Sequence, residues 1–101
     1  MCGIAGILGN ADLSVSGSMA TRLSHRGPDG LGGYEDVLAN GSICLSQSRL
    51  AIVDIDGSWQ PIKSEHGCVL VQNGEIYNHN KIKSNITNYS WQTSGDAETI
   101  L

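Results

Sequence analysis

An Asn-Gly pair at residues 40–41 separates two runs that are typical of strands, residues 32–38 and 42–45. Asn-Gly between such runs is a strong hairpin signal, because both residues tolerate the left-handed backbone of a tight turn. The sequence therefore predicts an antiparallel strand pair in the first half of the chain.

Further strands are expected around this hairpin. The apolar residues 2–8 have strand length, residues 50–53 suggest a short buried strand, and the run 68–71 leads into a polar segment that begins at Gln72. A strand of this kind would deliver the following polar side chains to a site at its end.

Three segments are expected to be helical. Residues 16–23 have helical spacing with Ser16 or Ser18 as the cap, and residues 78–86 predict a surface helix with Ile82 and Ile86 on its inner face. Residues 94–101 resemble a helix N-terminus with an acidic first turn. Strands and helices do not alternate regularly, so the predicted fold class is α+β rather than a doubly wound parallel sheet.

Length and charge limit the classes of function. The 101 residues suffice for one small domain, and the net charge is -4 with few, scattered Lys and Arg residues. No basic run and few aromatic residues are present, so neither nucleic acid nor an anionic membrane surface is an expected partner. No segment reaches the length of a membrane span.

The chain has three cysteines, Cys2, Cys44 and Cys68. An odd number without metal-ligand spacing favours reduced thiols and a cytoplasmic location over a disulfide framework, and it predicts no metal site. Cys44 and Cys68 lie in apolar runs and are expected to be buried, unreactive residues.

Cys2 is a candidate nucleophile because of its position. Removal of Met1 would leave it with a free α-amine, whose ordinary pKa of about 7.7–8.0 allows it to act as a base near neutral pH. A thiol and a base on one residue form a self-contained nucleophile pair. The alternative is a small, buried apolar residue near the chain terminus.

Five blocks occur in an order that is similar to the class II glutamine amidotransferases, which are N-terminal-nucleophile hydrolases. They are MCGIAG (residues 1–6), HRGPDG (25–30), RLAIVD (49–54), NGEIYN (73–78) and SGDAE (94–98). The proline of the second block and the phrase NGEIYN resemble the asparagine synthetase type. The resemblance covers essentially the whole chain.

This resemblance implies a partial αββα sandwich of antiparallel sheets and flanking helices. It implies that residues 1–101 are the N-terminal portion of a glutaminase domain. The expected reaction is the hydrolysis of glutamine to glutamate and ammonia through a thioester on Cys2. The ammonia would serve asparagine synthesis from aspartate or a related ATP-dependent amidation.

The resemblance also assigns roles to residues. Asn73 and Gly74 would stabilise the oxyanion, Arg49 would bind the substrate carboxylate, and Asp96 would bind its ammonium group, with Glu75 nearby. The remaining expected substrate-binding residues are Leu50, Ile52 and Val53. From the residues alone, Arg49 could instead be a solvated charge and Asp96 a complement to a helix dipole.

The second block predicts a tight turn. From the residues alone, Arg26 and Asp29 could form a pair that stabilises this turn, and we expect that structural role for them. His25 is not needed as a base, because the α-amine of Cys2 would fill that role.

Family glutaminase domains continue beyond the position of residue 101, and an ATP-binding synthetase domain follows. ATP and Mg²⁺ are expected to belong to that absent part, with no cofactor in this segment. A synthetase domain or second polypeptide would complete the fold, and a homo-oligomer is a further option. The alternatives to an active enzyme are a truncated or split non-catalytic remnant and a glutamine-binding module.

Overall fold

The computed structural model describes all 101 residues. Its elements in chain order are β1 (Gly3–Gly9), α1 (Leu13–Arg22), β2 (Gly30–Leu38), β3 (Gly41–Arg49), β4 (Ile62–Lys63), β5 (Val69–Leu70), α2 (His79–Asn85) and a 3-10 turn (Ala97–Ile100). The fold is α+β with antiparallel sheets, which confirms the predicted class. No helix combines the length and apolarity that crossing a membrane would require.

Strand β3 is the centre of a three-stranded antiparallel sheet with the order β1-β3-β2. The predicted strand pair is confirmed, but the turn lies one position earlier than predicted: Leu38 pairs with Gly41, so Ala39 and Asn40 form the two-residue turn and Gly41 begins β3. Gly41 has φ +138°, and a side chain there would also collide with the carbonyl oxygen of Gly9. The hairpin ends at Arg49, which delivers this side chain to the end of the central strand.

Helix α1 covers one face of the sheet through small residues. Ser16 and Ala20 are fully buried, and the hydroxyl groups of Ser16 and Ser46 are hydrogen-bonded over 2.8 Å. The predicted caps Ser16 and Ser18 are wrong, since the Asp12 carboxylate accepts the Ser14 N–H over 2.8 Å and begins the helix earlier. The helix therefore starts before the predicted position. Its buried Ser16 makes a contact with β3.

The second sheet is a short antiparallel pair, β4 and β5, in which Ile62 pairs with Leu70. It lies beside β2, where the Lys63 ammonium sits 4.6 Å from the centre of the Tyr34 ring. The apolar strand predicted at residues 68–71 is shorter in the structure, where β5 spans only Val69–Leu70. Cys68 is exposed, so the prediction that it is buried is wrong, whereas Cys44 is buried as predicted.

Residues 50–53 do not form the predicted buried strand. No neighbouring strand pairs with them, and Ile52 is 66% exposed. The chain turns away from the sheet because the Arg49 guanidinium holds the carbonyl oxygens of the following loop. This loop opens the space in which the candidate site lies.

The last third of the chain has little regular structure. Helix α2 is confirmed, but it has no fully buried residue, and Ile86 is exposed rather than on an inner face. The segment expected to start a helix at residues 94–101 forms only the 3-10 turn. Glu98 within this turn is buried and accepts the backbone N–H groups of Gln92 and Thr93.

Candidate functional site

A cavity of about 370 Å³ lies at the end of β3, between the loop that follows it and the segment after β5. All nine sequence-predicted site residues line it: Cys2, Arg49, Leu50, Ile52, Val53, Asn73, Gly74, Glu75 and Asp96. Residues from four distant parts of the chain therefore meet around one space.

The Cys2 thiol lies against the loop that leaves β3. Its Sγ atom accepts the backbone N–H of Leu50 at 3.3 Å. The carbonyl oxygen of Cys2 accepts a hydrogen bond from Arg26 Nε at 3.0 Å. Met1, which precedes the thiol residue, also lines the cavity and is 70% exposed. The residue is thus held from two sides with its sulfur at the cavity wall.

The loop of residues 25–30 is a structural support, as expected, but Arg26 and Asp29 do not act on each other. Asp29 accepts the backbone N–H of Ala51 at 2.8 Å, and its own N–H donates to the Arg49 carbonyl. Arg26 binds Cys2 instead. The expected Arg26–Asp29 pair is therefore absent. Instead, Asp29 contacts the segment that follows β3, and Arg26 contacts the backbone of Cys2.

Arg49 places a buried cation at the cavity. Its side chain is 6% exposed, and its guanidinium donates to the carbonyl oxygens of Asp54, Ile55 and Gly57 at 2.8–2.9 Å. The guanidinium also lies 4.5 Å from the centre of the Trp59 ring. Because these carbonyl partners are neutral, they fix the orientation of the guanidinium without cancelling its charge.

Asp96 supplies negative charge on another part of the cavity. Its carboxylate accepts the backbone N–H of Ile76 at 2.7 Å, which joins the last segment of the chain to the segment after β5. The side chain is only half-buried, so it can also meet a ligand. A cavity with a fixed cation and a separate carboxylate suits a zwitterionic ligand.

The segment 73–75 is exposed, but the backbone on either side of it is fixed. Gln47 donates to the Gln72 carbonyl at 2.8 Å, and the Gln72 N–H donates to the side-chain oxygen of Gln60 at 2.5 Å. On the far side, the Ile76 N–H is held by Asp96. This arrangement presents the Asn73 amide and the glycine backbone at the cavity from a supported loop.

Several cavity residues were not predicted from the sequence: Gln47, Ser58, Gln60, Gln72 and Tyr77. Gln47 could have been found, since it precedes Arg49 by two positions on the same strand and therefore shares its face. The Gln72 side-chain oxygen is buried without a hydrogen-bond partner. Tyr77 is 87% exposed at the rim, and no local sequence pattern marks the other residues.

Asp54 organises the loop beside Arg49. A hydrogen bond from the Ser58 hydroxyl lowers the pKa of the Asp54 carboxyl; burial opposes this shift, and N–H groups of Ser94, Gly57 and Gly95 add to it. The carboxylate form is thereby stabilised. No cluster of three or more His, Cys, Asp or Glu side chains is arranged to hold a metal ion.

Comparison with known proteins matches this chain to one family. A family model described as a glutamine amidotransferase domain matches residues 1–101. The chain is 42% identical to asparagine synthetase [glutamine-hydrolyzing] 2 of Oryza sativa subsp. japonica over 108 aligned residues, which cover 99% of this chain and 17% of the rice protein.

Two other plant relatives agree. The chain is 39% identical to asparagine synthetase [glutamine-hydrolyzing] of Zea mays and 38% identical to asparagine synthetase [glutamine-hydrolyzing] 1 of Arabidopsis thaliana. Each alignment covers 99% of this chain, but only 17% and 18% of the relatives. The chain thus spans less than a fifth of the length of these relatives.

Proposed function

Because the chain belongs to the glutamine amidotransferase domain family, we propose that it hydrolyses glutamine to glutamate and ammonia through a thioester on Cys2. One observation carries this proposal. The Cys2 thiol, the buried Arg49 cation, the Asp96 carboxylate and the Asn73–Gly74 segment all line one cavity of about 370 Å³. That combination offers a nucleophile and complementary groups for both charged ends of an amino acid.

The chemistry begins with removal of Met1. The α-amine of Cys2 then accepts the thiol proton, and the sulfur attacks the side-chain amide carbon of glutamine. The Leu50 N–H, which donates to Sγ at 3.3 Å, stabilises the developing thiolate. The C–N bond breaks, the amine proton passes to the leaving nitrogen, and ammonia departs. Water then attacks the thioester, which releases glutamate and restores the thiol.

The substrate would be bound along the cavity wall. Arg49 pairs with the α-carboxylate, and Asp96 pairs with the α-ammonium, with Glu75 nearby. Leu50, Ile52 and Val53 contact the methylene groups of the ligand. The roles of these six residues are assigned by the order of the family blocks, and the shared cavity supports them.

An oxyanion forms on the amide oxygen when sulfur attacks. The Asn73 side chain and the Gly74 N–H are proposed as its donors. Their position on a loop that Gln47, Gln60 and Asp96 hold from both sides supports this role, because preorganised donors require a rigid backbone.

The remaining assignments concern the whole protein. Residues 1–101 are proposed as the N-terminal portion of a glutaminase domain with the αββα sandwich of N-terminal-nucleophile hydrolases. Ile4 and Leu8 on β1 are 44% and 74% exposed, which suits a sheet face that further chain or a second copy would cover. We place the protein in the cytoplasm.

The acceptor chemistry is proposed from the relatives. Their names indicate asparagine synthesis, so ammonia would pass to aspartate, or to a related acid, in a synthetase domain or second polypeptide. ATP and Mg²⁺ would bind in that part, and none of the proposed steps at Cys2 uses either.

The test is glutamate release from glutamine by the purified chain, whose N-terminus is first identified by intact mass. Release is expected only when the chain begins at Cys2, since retained Met1 blocks the amine. The Cys2→Ala variant should release none, whereas Cys68→Ala, which removes an exposed thiol elsewhere, should match the parent protein.

Three results would contradict the proposal. Release by Cys2→Ala at the parent rate would remove the nucleophile assignment. A folded chain that begins at Cys2 and binds glutamine without turnover would instead be a glutamine-binding module. If that chain neither binds nor hydrolyses glutamine, it is a non-catalytic remnant.

A further inference from the structure

Asp54 lies in the loop that follows β3 and has a left-handed backbone, with φ +52°. Its carboxylate closes the loop from within: Oδ1 accepts the Gly57 N–H at 3.1 Å, and Oδ2 accepts the Ser58 hydroxyl at 2.6 Å. Oδ2 also accepts the N–H of Ser94, which is 40 positions further along the chain, at 3.0 Å. One side chain therefore fixes a turn and ties it to a distant segment.

The turn that Asp54 closes is the one that holds Arg49. The carbonyl oxygens of Asp54, Ile55 and Gly57 converge on the guanidinium at 2.9, 2.8 and 2.8 Å. Carbonyl groups point to a common centre only while the loop keeps this shape. By accepting the Gly57 N–H, the Asp54 carboxylate thus stabilises the loop conformation in which the three carbonyl oxygens bind the buried Arg49 guanidinium.

The distant segment that Asp54 ties down leads directly to Asp96. Ser94 is held by the Asp54 carboxylate, and a Cβ atom on Gly95 would overlap the Ser58 hydroxyl, so the two loops are in close contact. Two residues later, the Asp96 carboxylate is fixed by the Ile76 N–H. The position of Asp96 relative to Arg49 therefore depends on the contact that Asp54 makes.

We propose that Asp54 is a positioning residue that sets the spacing between the cation and the carboxylate of the amino-acid pocket. The inference rests on the proposed function, in which Arg49 and Asp96 bind the two charged groups of glutamine. Asp54 does not line the cavity and acts only through the two binding residues. It determines affinity for a ligand that carries both charges, and it leaves the reactivity of Cys2 unchanged.

Asp54→Asn is the informative substitution because it keeps size and removes one acceptor. The asparagine side chain has a single oxygen, whereas Gly57 and Ser94 present two backbone N–H groups on opposite oxygens of the native carboxylate. At least one N–H therefore loses its partner. Asp56→Asn is the matched control, since Asp56 is an exposed carboxylate in the same loop outside the cavity.

The probe is a glutamine analogue with an electrophilic diazoketone in place of the amide, which alkylates the Cys2 sulfur and loses N₂. Intact mass follows labelling of the full chain, and its concentration dependence separates the half-saturating concentration from the maximal rate. For Asp54→Asn, we expect the half-saturating concentration to rise about 10- to 100-fold, on the scale at which small displacements weaken ligand alignment. The maximal rate should change less than about twofold, and Asp56→Asn should match the parent protein.

A merely structural role gives a different result. Partial unfolding would lower the fraction of chain that can be labelled and leave the half-saturating concentration unchanged, which overturns the proposal. So does an equal rise in Asp56→Asn. If Asp54→Asn does not fold, Asp54→Glu keeps both carboxylate oxygens but displaces them by one methylene group, and it should raise the half-saturating concentration about two- to tenfold; no rise overturns the proposal.

The failure of the proposed function would look different. If the parent chain, beginning at Cys2 and folded, is not labelled and binds no glutamine by calorimetry, the glutaminase proposal fails and the role of Asp54 fails with it. If the parent is labelled but Asp54→Asn is indistinguishable from it, only the role of Asp54 fails.

Discussion

Arg26 Nε donates a hydrogen bond to the carbonyl oxygen of Cys2 at 3.0 Å, across 24 positions of the chain. The contact fixes the backbone of the residue that carries the proposed nucleophile. Arg26 contacts neither the thiol nor the α-amine, because it binds only the carbonyl group. The loop after α1 is therefore a support for the orientation of Cys2.

Arg26→Gln should lower the kcat of glutamine hydrolysis about tenfold and leave KM nearly unchanged, since the support acts on the nucleophile and not on the substrate pocket. Steady-state kinetics of glutamate release would measure both constants. Arg22→Gln, at an exposed arginine in the last turn of α1, should behave as the parent. Equal effects of the two substitutions would argue against the assigned support.

Asn73→Ala should reduce kcat about 10²- to 10³-fold, the usual cost of losing one oxyanion donor. Asn73 is exposed, so the thermal midpoint should move little. Asn80→Ala, at an exposed position in α2, controls for the loss of a surface amide. A change in KM alone, with kcat preserved, would assign Asn73 to ground-state binding instead.

Gln72→Leu should increase the free energy of unfolding by about 1–3 kcal/mol, because the buried side-chain oxygen of Gln72 has no hydrogen-bond partner. Urea denaturation measures this change. Gln60→Leu should instead decrease the free energy of unfolding, because it removes the acceptor of the Gln72 N–H. Destabilisation by Gln72→Leu would show that the side-chain amide contributes a favourable interaction.

Glu98 should make stability depend on pH in the acidic range. Burial raises the pKa of Glu98, but hydrogen bonds from Gln92, Thr93 and Tyr89 outweigh it, so the pKa is lowered from the ordinary 4.5. A lowered folded-state pKa means that the stabilisation is present above 4.5 and is lost as pH falls through the folded-state value.

Urea midpoints measured from about pH 6 to about pH 3, the range in which carboxyl groups titrate, should therefore fall with decreasing pH. Glu98→Gln should flatten this dependence and lower stability near neutral pH. Glu65→Gln, at an exposed carboxylate, should leave the curve unchanged. An identical pH dependence in Glu98→Gln would exclude Glu98 as its source.

The elements that could be predicted from the sequence have local causes. Strand β1 and the hairpin follow from apolar runs and from the Asn-Gly signal, although the turn itself lies one position earlier, at Ala39 and Asn40. The loop after Arg49 could not be predicted, because residues 50–53 have strand-like composition but no partner strand. There the three carbonyl contacts of Arg49 override local propensity.

The residues of the candidate site likewise include some that the sequence predicts and some that it does not. The positions of Cys2, Arg49, Asn73 and Asp96 on one cavity were expected from ordered family blocks, and Gln47 was within reach of strand alternation. The cavity residues Gln60 and Gln72 could not be predicted from the sequence. Their contact joins a loop to the end of a strand and therefore depends on tertiary packing.

The cavity is built from segments that lie near both ends and the middle of the chain. A ligand that bridges Arg49 and Asp96 would therefore bind only when nearly the whole chain is folded, and mass action would favour that state. At a free concentration of 100 times its Kd, such a ligand adds about 2.7 kcal/mol to the free energy of unfolding. Proteolysis of the chain should therefore become slower as the concentration of such a ligand rises, because the ligand lowers the population of unfolded chain.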